Sequence, residues 1–213
     1  MTRFRNRVEA ALSLIPHLEK YREEKGVVLA VPRGGVPIGH PIAKKYRFPL
    51  ELLMTKKIGH PYQPELAIGA VSLEDHMVDE SYDVDHSYIN TEIRKIRGAL
   101  EESYKKFMGE HKPVDLEGKI VIIVDDGVAT GNTILSSIKM LRKRKPKKIV
   151  VAIPVAPPSA IEKIEKEVDD LICLYSPEHF IGVGIHYMDF TQVDDKEVTR
   201  LLRDANQYVN ALE

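Results

Sequence analysis

Asp125 and Asp126 stand side by side at the end of the run Lys119 to Val124 and lead through Gly127 into Thr130-Gly131-Asn132-Thr133. Ionised carboxylates only accept hydrogen bonds and are hard oxygen ligands, so such a pair suits the vicinal hydroxyls of a sugar or a Mg2+ that bridges phosphates. The hydroxyls and glycine that follow suit a different group. Where such a loop opens a helix, unpaired N–H groups and the positive end of the helix dipole receive a phosphate. The two acids would repel a bare phosphate, so both halves together ask for a sugar phosphate.

Those residues need a strand before them and a helix after them. Lys119 to Val124 is too short for a helix and reads as a strand buried on both faces of a parallel sheet. Ile134, Leu135, Ile138 and Leu141 fall on one helical face, with capping side chains expected from the Thr130–Thr133 segment. A second unit of the same kind lies upstream. Val27 to Val31 is a buried-strand run, followed by Pro32-Arg33-Gly34-Gly35-Val36-Pro37 and a helix expected from near Ile38. Paired glycines let a backbone approach an anion closely, and an arginine fork grips phosphate oxygens.

The segment Val121 to Thr133, VIIVDDGVATGNT, resembles the phosphoribosyl pyrophosphate (PRPP) motif of type I phosphoribosyltransferases. A Walker A loop needs a lysine where Asn132 stands, haloacid dehalogenases need alternating rather than adjacent acids, and a dinucleotide fingerprint needs a third glycine. The resemblance implies PRPP bound through Asp125, Asp126, Gly127, Val128, Ala129, Thr130, Gly131, Asn132 and Thr133. The two acids hold the ribose hydroxyls, and Val128 to Thr133 anchor the 5-phosphate.

In this family the loop after the first core strand binds pyrophosphate through backbone amides, often with a strained peptide bond; Arg33, Gly34 and Gly35 match that role. A mobile loop follows in the family. Leu50 to Thr55 reads as a strand, Ile58 to Glu65 with Gly59, Pro61 and Pro64 as a flexible excursion, and Leu66 to Leu73 as the returning strand. Lys56 or Lys57 is expected to neutralise departing pyrophosphate, and Glu65 to contact the ring substrate. A variable hood, from about 176–192 with the N-terminal segment as a second contributor, selects the acceptor. There Phe180, Tyr187 and Phe190 can stack on a ring, and Asp189 can bind its donors.

The implied reaction moves a 5-phosphoribosyl group from PRPP to a nitrogen heterocycle and releases pyrophosphate. Catalytic roles fall to Asp125, Asp126, Lys56, Lys57 and Arg33. Mg2+ is the implied cofactor, carried mostly by PRPP, with Asp125 and Asp126 as indirect metal partners. Enzymes for 6-oxopurines carry an aspartate where Ala129 stands here, so oxopurine activity is expected to be weak, and the Ala-Thr-Gly-x-Thr spelling looks like that of adenine-type enzymes. The alternatives are a PRPP- or nucleotide-sensing or RNA-binding protein on the same fold, or a sugar-phosphate hydrolase.

Strands alternating with helices predict an α/β fold: an open, mostly parallel twisted sheet with helices on both faces, its ligand outside the carboxyl edge. The other elements expected are an amphipathic opening segment Arg3 to Tyr21, a helix from about Ser87 to Met108, strands at Lys148–Pro154 and Asp170–Tyr175, a helix at Pro158–Val168 between them, and a last helix from Asp194 to Leu212. Ile89, Ile93, Ile96, Leu100, Tyr104 and Phe107 give the long helix one apolar stripe, which covers the sheet or a partner subunit; a homodimer is expected.

A length of 213 residues with 43% hydrophobic content suits a single domain over 1–213. A net charge of -1 gives no overall field for nucleic acid or membrane. The basic run Arg142 to Lys148 is expected to satisfy a helix C-terminus, and Glu74 to His86 to form a solvated hairpin or loop. Without an apolar signal core or a membrane-length run, a cytoplasmic location is expected. Cys173, the one cysteine, reads as a buried strand residue rather than a nucleophile or ligand.

Overall fold

A computed structural model describes residues 4–207. Five parallel strands, β1 (Gly26–Ala30), β2 (Leu50–Leu52), β6 (Ile120–Val124), β7 (Lys148–Val155) and β8 (Asp170–Tyr175), form a sheet in the order β2-β1-β6-β7-β8. All five residues of β6 are fully buried, each side chain contributing on the order of 2 kcal/mol of hydrophobic stabilisation. Alternate residues face opposite layers. Val28, Ala30, Ile122 and Val124 pack with α1 (Arg7–Leu18), α2 (Gly35–Tyr46) and α6 (Asp195–Asn206), whereas Val27, Leu29, Val121 and Ile123 pack with α4 (Asn132–Lys143) and α5 (Pro158–Glu165). This is the expected α/β sheet with helices on both faces.

The strand order reverses between β1 and β6, so the crevice at this fold's topological switch point opens between their carboxyl ends. Ala30 lies opposite Val124 in register, and Val31 N–H donates to Val124 O at 2.9 Å. The loops that leave the two strands therefore start at the same level. α2 begins at Gly35 rather than near Ile38. Pro37 falls in its first turn, where a missing N–H removes no helical hydrogen bond.

The segment after β2 departs from expectation. Leu50 to Thr55 is not one strand: β2 ends at Leu52, and β3 (Thr55–His60), β4 (Gln63–Ser72) and β5 (His76–Val78) form a separate antiparallel sheet. Ile58 to Glu65 is the turn end of the β3–β4 hairpin instead of an irregular excursion. Gly59 and Pro64, which read as breakers, sit at a register shift; a Cβ on Gly59 would stand 2.6 Å from Pro64 O. The expected acidic hairpin around Glu74 to His86 supplies β5 as the third strand.

α3 (His86–Met108) buries Ile89, Ile93, Ile96, Leu100 and Tyr104 in the chain's own core beside β3, β4 and α6. The stripe offered as a subunit contact is thus covered from within. In the basic run, Arg142 pairs with Asp169, Lys143 with Asp75, Arg144 with Glu74 and Lys147 with Glu24. Arg142 and Lys143 stand in the last turn of α4, as expected, and acidic side chains pair with these cations as well. α5 ends at Glu165, and α6 runs to Asn206; the rest of the expected last helix, through Leu212, lies outside the described residues, as does Arg3. Among the described residues no helix is long and apolar enough to cross a membrane.

Candidate active site

The Pro32–Gly35 loop after β1 and the Asp125–Asp126 corner after β6 meet face to face. A Cβ on Gly34 would fall 2.1 Å from Asp126 Oδ2, and one on Gly35 would fall 2.6 Å from Val124 O. Glycine is required here by proximity rather than by backbone angle. The Pro32–Arg33 peptide bond is cis. Together with Arg7, Phe190, Gln192 and Val193, these two loops line an open cleft of about 580 Å3.

Burial, and then the neighbouring Asp126 charge, hold the Asp125 carboxyl well above the ordinary aspartate range. Burial also raises Asp126, against the opposing pull of Arg7. Two desolvated acids side by side favour ligands that bring hydroxyl donors or a cation. Asp125 Oδ1 accepts from the Asp126 N–H at 2.8 Å, which fixes the corner.

Arg7 is the site residue that sequence reasoning missed. Its Nε donates to Asp126 Oδ2 at 2.8 Å, its Nη1 donates to Thr191 O at 2.8 Å, and its guanidinium lies 4.0 Å from the centre of the Phe190 ring. Asn6 caps α1 by accepting from the Glu9 N–H, so Arg7 is the first residue of the helix. A cation is unfavourable at that end of a helix dipole. That misplacement was the available sign that its charge is used elsewhere.

The segment 176–192 is irregular apart from a 3-10 turn at Val183–His186, and the chain at Phe4 and Arg5 is hydrogen-bonded to it. Phe4 N–H donates to His186 O, Met188 N–H to Phe4 O, and Asp189 N–H to Arg5 O. Tyr187 is buried, and its hydroxyl donates to Asp126 O at 2.6 Å, so it buttresses the acid corner. Phe190 lines the cleft with one face against Arg7. Phe180 instead stacks on His186, and Asp189 accepts from Thr191 N–H and Oγ1.

α4 opens at Asn132 with Gly131 as its cap in the left-handed region at φ 78°, and no side-chain cap hydrogen bond is made. The expected capping by Thr130–Thr133 side chains is therefore not found: a left-handed glycine, which carries no Cβ penalty, starts the helix instead. The first-turn N–H groups are left to a ligand or water. Thr130, Asn132 and Thr133 are exposed and so is Ala129, while the Val128 N–H is already donated to Val155 O at 2.9 Å. A Cβ on Gly127 would strike Val183 and Val155.

Arg33 is exposed and pairs through Nε with Asp195 Oδ1 at 2.8 Å, an acid it shares with Lys106. Lys57 Nζ pairs with Glu65 Oε2 at 2.8 Å across the hairpin, and Lys56 is exposed on the same strand. Neither lysine nor Glu65 lines the cleft described above.

Comparison with known proteins matches this arrangement to a family. The family model "Phosphoribosyl transferase domain" matches residues 8–187. A relative from Mycobacterium tuberculosis strain H37Rv, named "Putative phosphoribosyl transferase Rv0571c", is 34% identical over 97% of this chain and 48% of its own length. The chain thus spans about half the length of that relative. The crystal structure of TT1426 from Thermus thermophilus is 32% identical, covers 95% of this chain and 99% of its own, and superposes with a TM-score of 0.87. A hypothetical protein from Neisseria gonorrhoeae with bound ppGpp, 14% identical over 96% and 97% of the two chains with a TM-score of 0.54, shares the fold.

Proposed function

The chain belongs to the phosphoribosyl transferase family, and from that premise we propose that it transfers the 5-phosphoribosyl group of PRPP to a nitrogen heterocycle. The observation that carries this reading is the juxtaposition at the switch point. A pair of half-buried acids and a glycine loop pressed against one of them line one crevice, and the chain leaves the acid corner for an uncapped helix start.

In this reading Asp125 and Asp126 accept from the ribose 2- and 3-hydroxyls, and their charge offsets the cationic ribose that forms as the C1–O bond to pyrophosphate breaks. The first-turn amides of α4, with Thr130 and Thr133, hold the 5-phosphate. Gly34 and Gly35 let backbone amides approach the pyrophosphate, and Arg33 leaves Asp195 to grip it. The ring nitrogen attacks C1 from the side that Phe190 borders, pyrophosphate departs with the bonding pair, and the nitrogen's proton passes to water or to the released pyrophosphate. Arg7 and Tyr187 position Asp126.

Two adjacent carboxylates fit a Mg2+ that takes one or two acid ligands and keeps the substrate's oxygens. When bound, it would neutralise charge on the leaving pyrophosphate. Lys56 and Lys57 reach the reaction only if the β3–β4 hairpin closes, with Lys57 released from Glu65. We read 1–213 as one domain of this kind. A homodimer remains the family expectation, resting on surfaces other than the α3 stripe.

Titration calorimetry of PRPP with and without Mg2+ tests the reading. Magnesium-dependent binding that is lost in Asp125→Asn/Asp126→Asn supports it, and absence of binding to the wild type overturns it. Robust turnover of hypoxanthine would overturn the narrower expectation drawn from Ala129.

A further inference from the structure

A second cavity, of about 260 Å3, lies on the α4 side of the sheet and shares no lining residue with the Asp125 cleft. Its walls are mostly apolar, with Leu29, Leu53, Leu116, Met140 and Leu141 among them. Set into these walls is one buried acid, Glu51 of β2, 6% exposed. Glu51 faces this side because its register partner Leu29 does. Tyr104 Oη of α3 donates to Glu51 Oε2 at 2.8 Å.

A buried acid is costly unless a cation or a proton neutralises it. No ion pair to Glu51 is formed among the described residues. The nearby cations are committed at the rim: Arg144 Nη1 pairs with Glu74 Oε2 at 3.1 Å, and Lys143 Nζ pairs with Asp75 Oδ2 at 2.7 Å, joining α4 to the β4–β5 turn. Arg144 Nη2 also donates to Val114 O. Neither the sheet nor the transferase reading uses Glu51.

We propose that this cavity binds a small, mostly apolar molecule bearing one protonated nitrogen, an amine or amidine, with Glu51 as its counter-ion. Apolar walls with one well-placed polar group are the usual form of a small-molecule site, and a cation inside would replace the proton that otherwise neutralises the acid. The site is wired to the proposed active site. Thr55, the first residue of the lysine-bearing hairpin, lines the cavity, and its Oγ1 lies 2.9 Å from Ser137 Oγ, which donates to Thr133 O at the start of α4. Occupancy therefore bears on both the hairpin and the phosphate loop, as an effector would.

The proposal stands independently of PRPP chemistry, and the test keeps them apart. Benzamidine, an apolar planar cation, is titrated into the intact protein, with neutral benzamide as its isosteric control. Benzamidine is expected to bind and benzamide not, and Glu51→Gln should weaken benzamidine on the order of thirtyfold, the scale of losing one partner of a buried charge pair. Burial lifts the Glu51 carboxyl to about 7, against hydrogen bonds from Tyr104 and the Val114 backbone and the Arg144 charge, which pull it down. Amidine affinity should then rise about tenfold between pH 6 and pH 8 as Glu51 ionises. Equal binding of benzamide, a flat pH profile, no binding at all, or binding that survives Glu51→Gln but is lost in Asp126→Asn would each overturn it.

Discussion

Arg7 and Asp126, separated by 119 positions in sequence, form a 2.8 Å ion pair whose side chains are only 11% and 13% exposed. Such a pair loses most when one partner is removed and the other charge stays buried. Arg7→Gln is expected to cost about 2 kcal/mol, or roughly 4–8 °C in Tm by calorimetry. With the opposing cation gone, burial raises Asp126 further, so PRPP affinity should fall at neutral pH and recover as pH rises. A variant with unchanged Tm and unchanged affinity would show that the pair is idle.

Gly34 leaves no room for any side chain beside Asp126. Gly34→Ala pushes a methyl to 2.1 Å from Asp126 Oδ2, so the carboxylate, with its Arg7 bond, or the loop must shift. A cost of about 1–3 kcal/mol is expected from such overpacking, together with loss of PRPP binding. Preserved binding in a calorimeter would mean that the loop–loop contact does not shape the donor site.

Asp125 is a costly acid for the fold to keep ionised. Its carboxyl is raised in the folded protein, so the native state holds more protons than the unfolded chain between the ordinary aspartate value and the raised one. Stability is therefore fullest below the ordinary value and is lost as pH rises through the raised value. Asp125→Asn removes that loss. Its Tm should exceed that of the wild type by a few degrees at pH 8 and converge with it in acid, while PRPP binding disappears. A Tm below wild type at pH 8 would contradict the assignment of a strained acid.

Asp195 occupies Arg33 and, in the proposed function, would compete with pyrophosphate for it. Both side chains are partly exposed, at 30% and 45%, so the pair is worth at most about 1 kcal/mol. Asp195→Asn should tighten pyrophosphate binding by about two- to fivefold at low salt, and the gain should shrink as salt is added. Weaker binding in the variant would indicate that Asp195 orients Arg33 rather than restraining it.

The strand–loop–helix units around β1 and β6 were legible because their signals are local. A buried run, a glycine-bearing corner and a helical apolar face lie within one short stretch, and β8 falls where its run predicts. What depends on distant partners was not. Arg7 became visible as a site residue only when α1 was placed beside Asp126, and Glu51 only when Tyr104 of α3 was placed over it. Gly59 and Pro64 misled because a bulged hairpin uses the same residues as an irregular loop. Tyr187 and Phe180 read alike as stacking rings, yet one supports the acid corner and the other packs on His186.

The bonds from Arg7 to Asp126 and to Thr191, with Phe4 bridging to Tyr187, impose an order of events on a chain being synthesised. Arg7 leaves the ribosome before β6 and must wait for it to gain a counter-ion, and again for Thr191 and Phe190 before its guanidinium is covered. Contacts of such long separation form late, because the loop they close must be ordered first. The sheet can therefore assemble ahead of the cleft, and a nascent chain halted before Tyr187 would carry Arg7 paired to Asp126 with its guanidinium still uncovered.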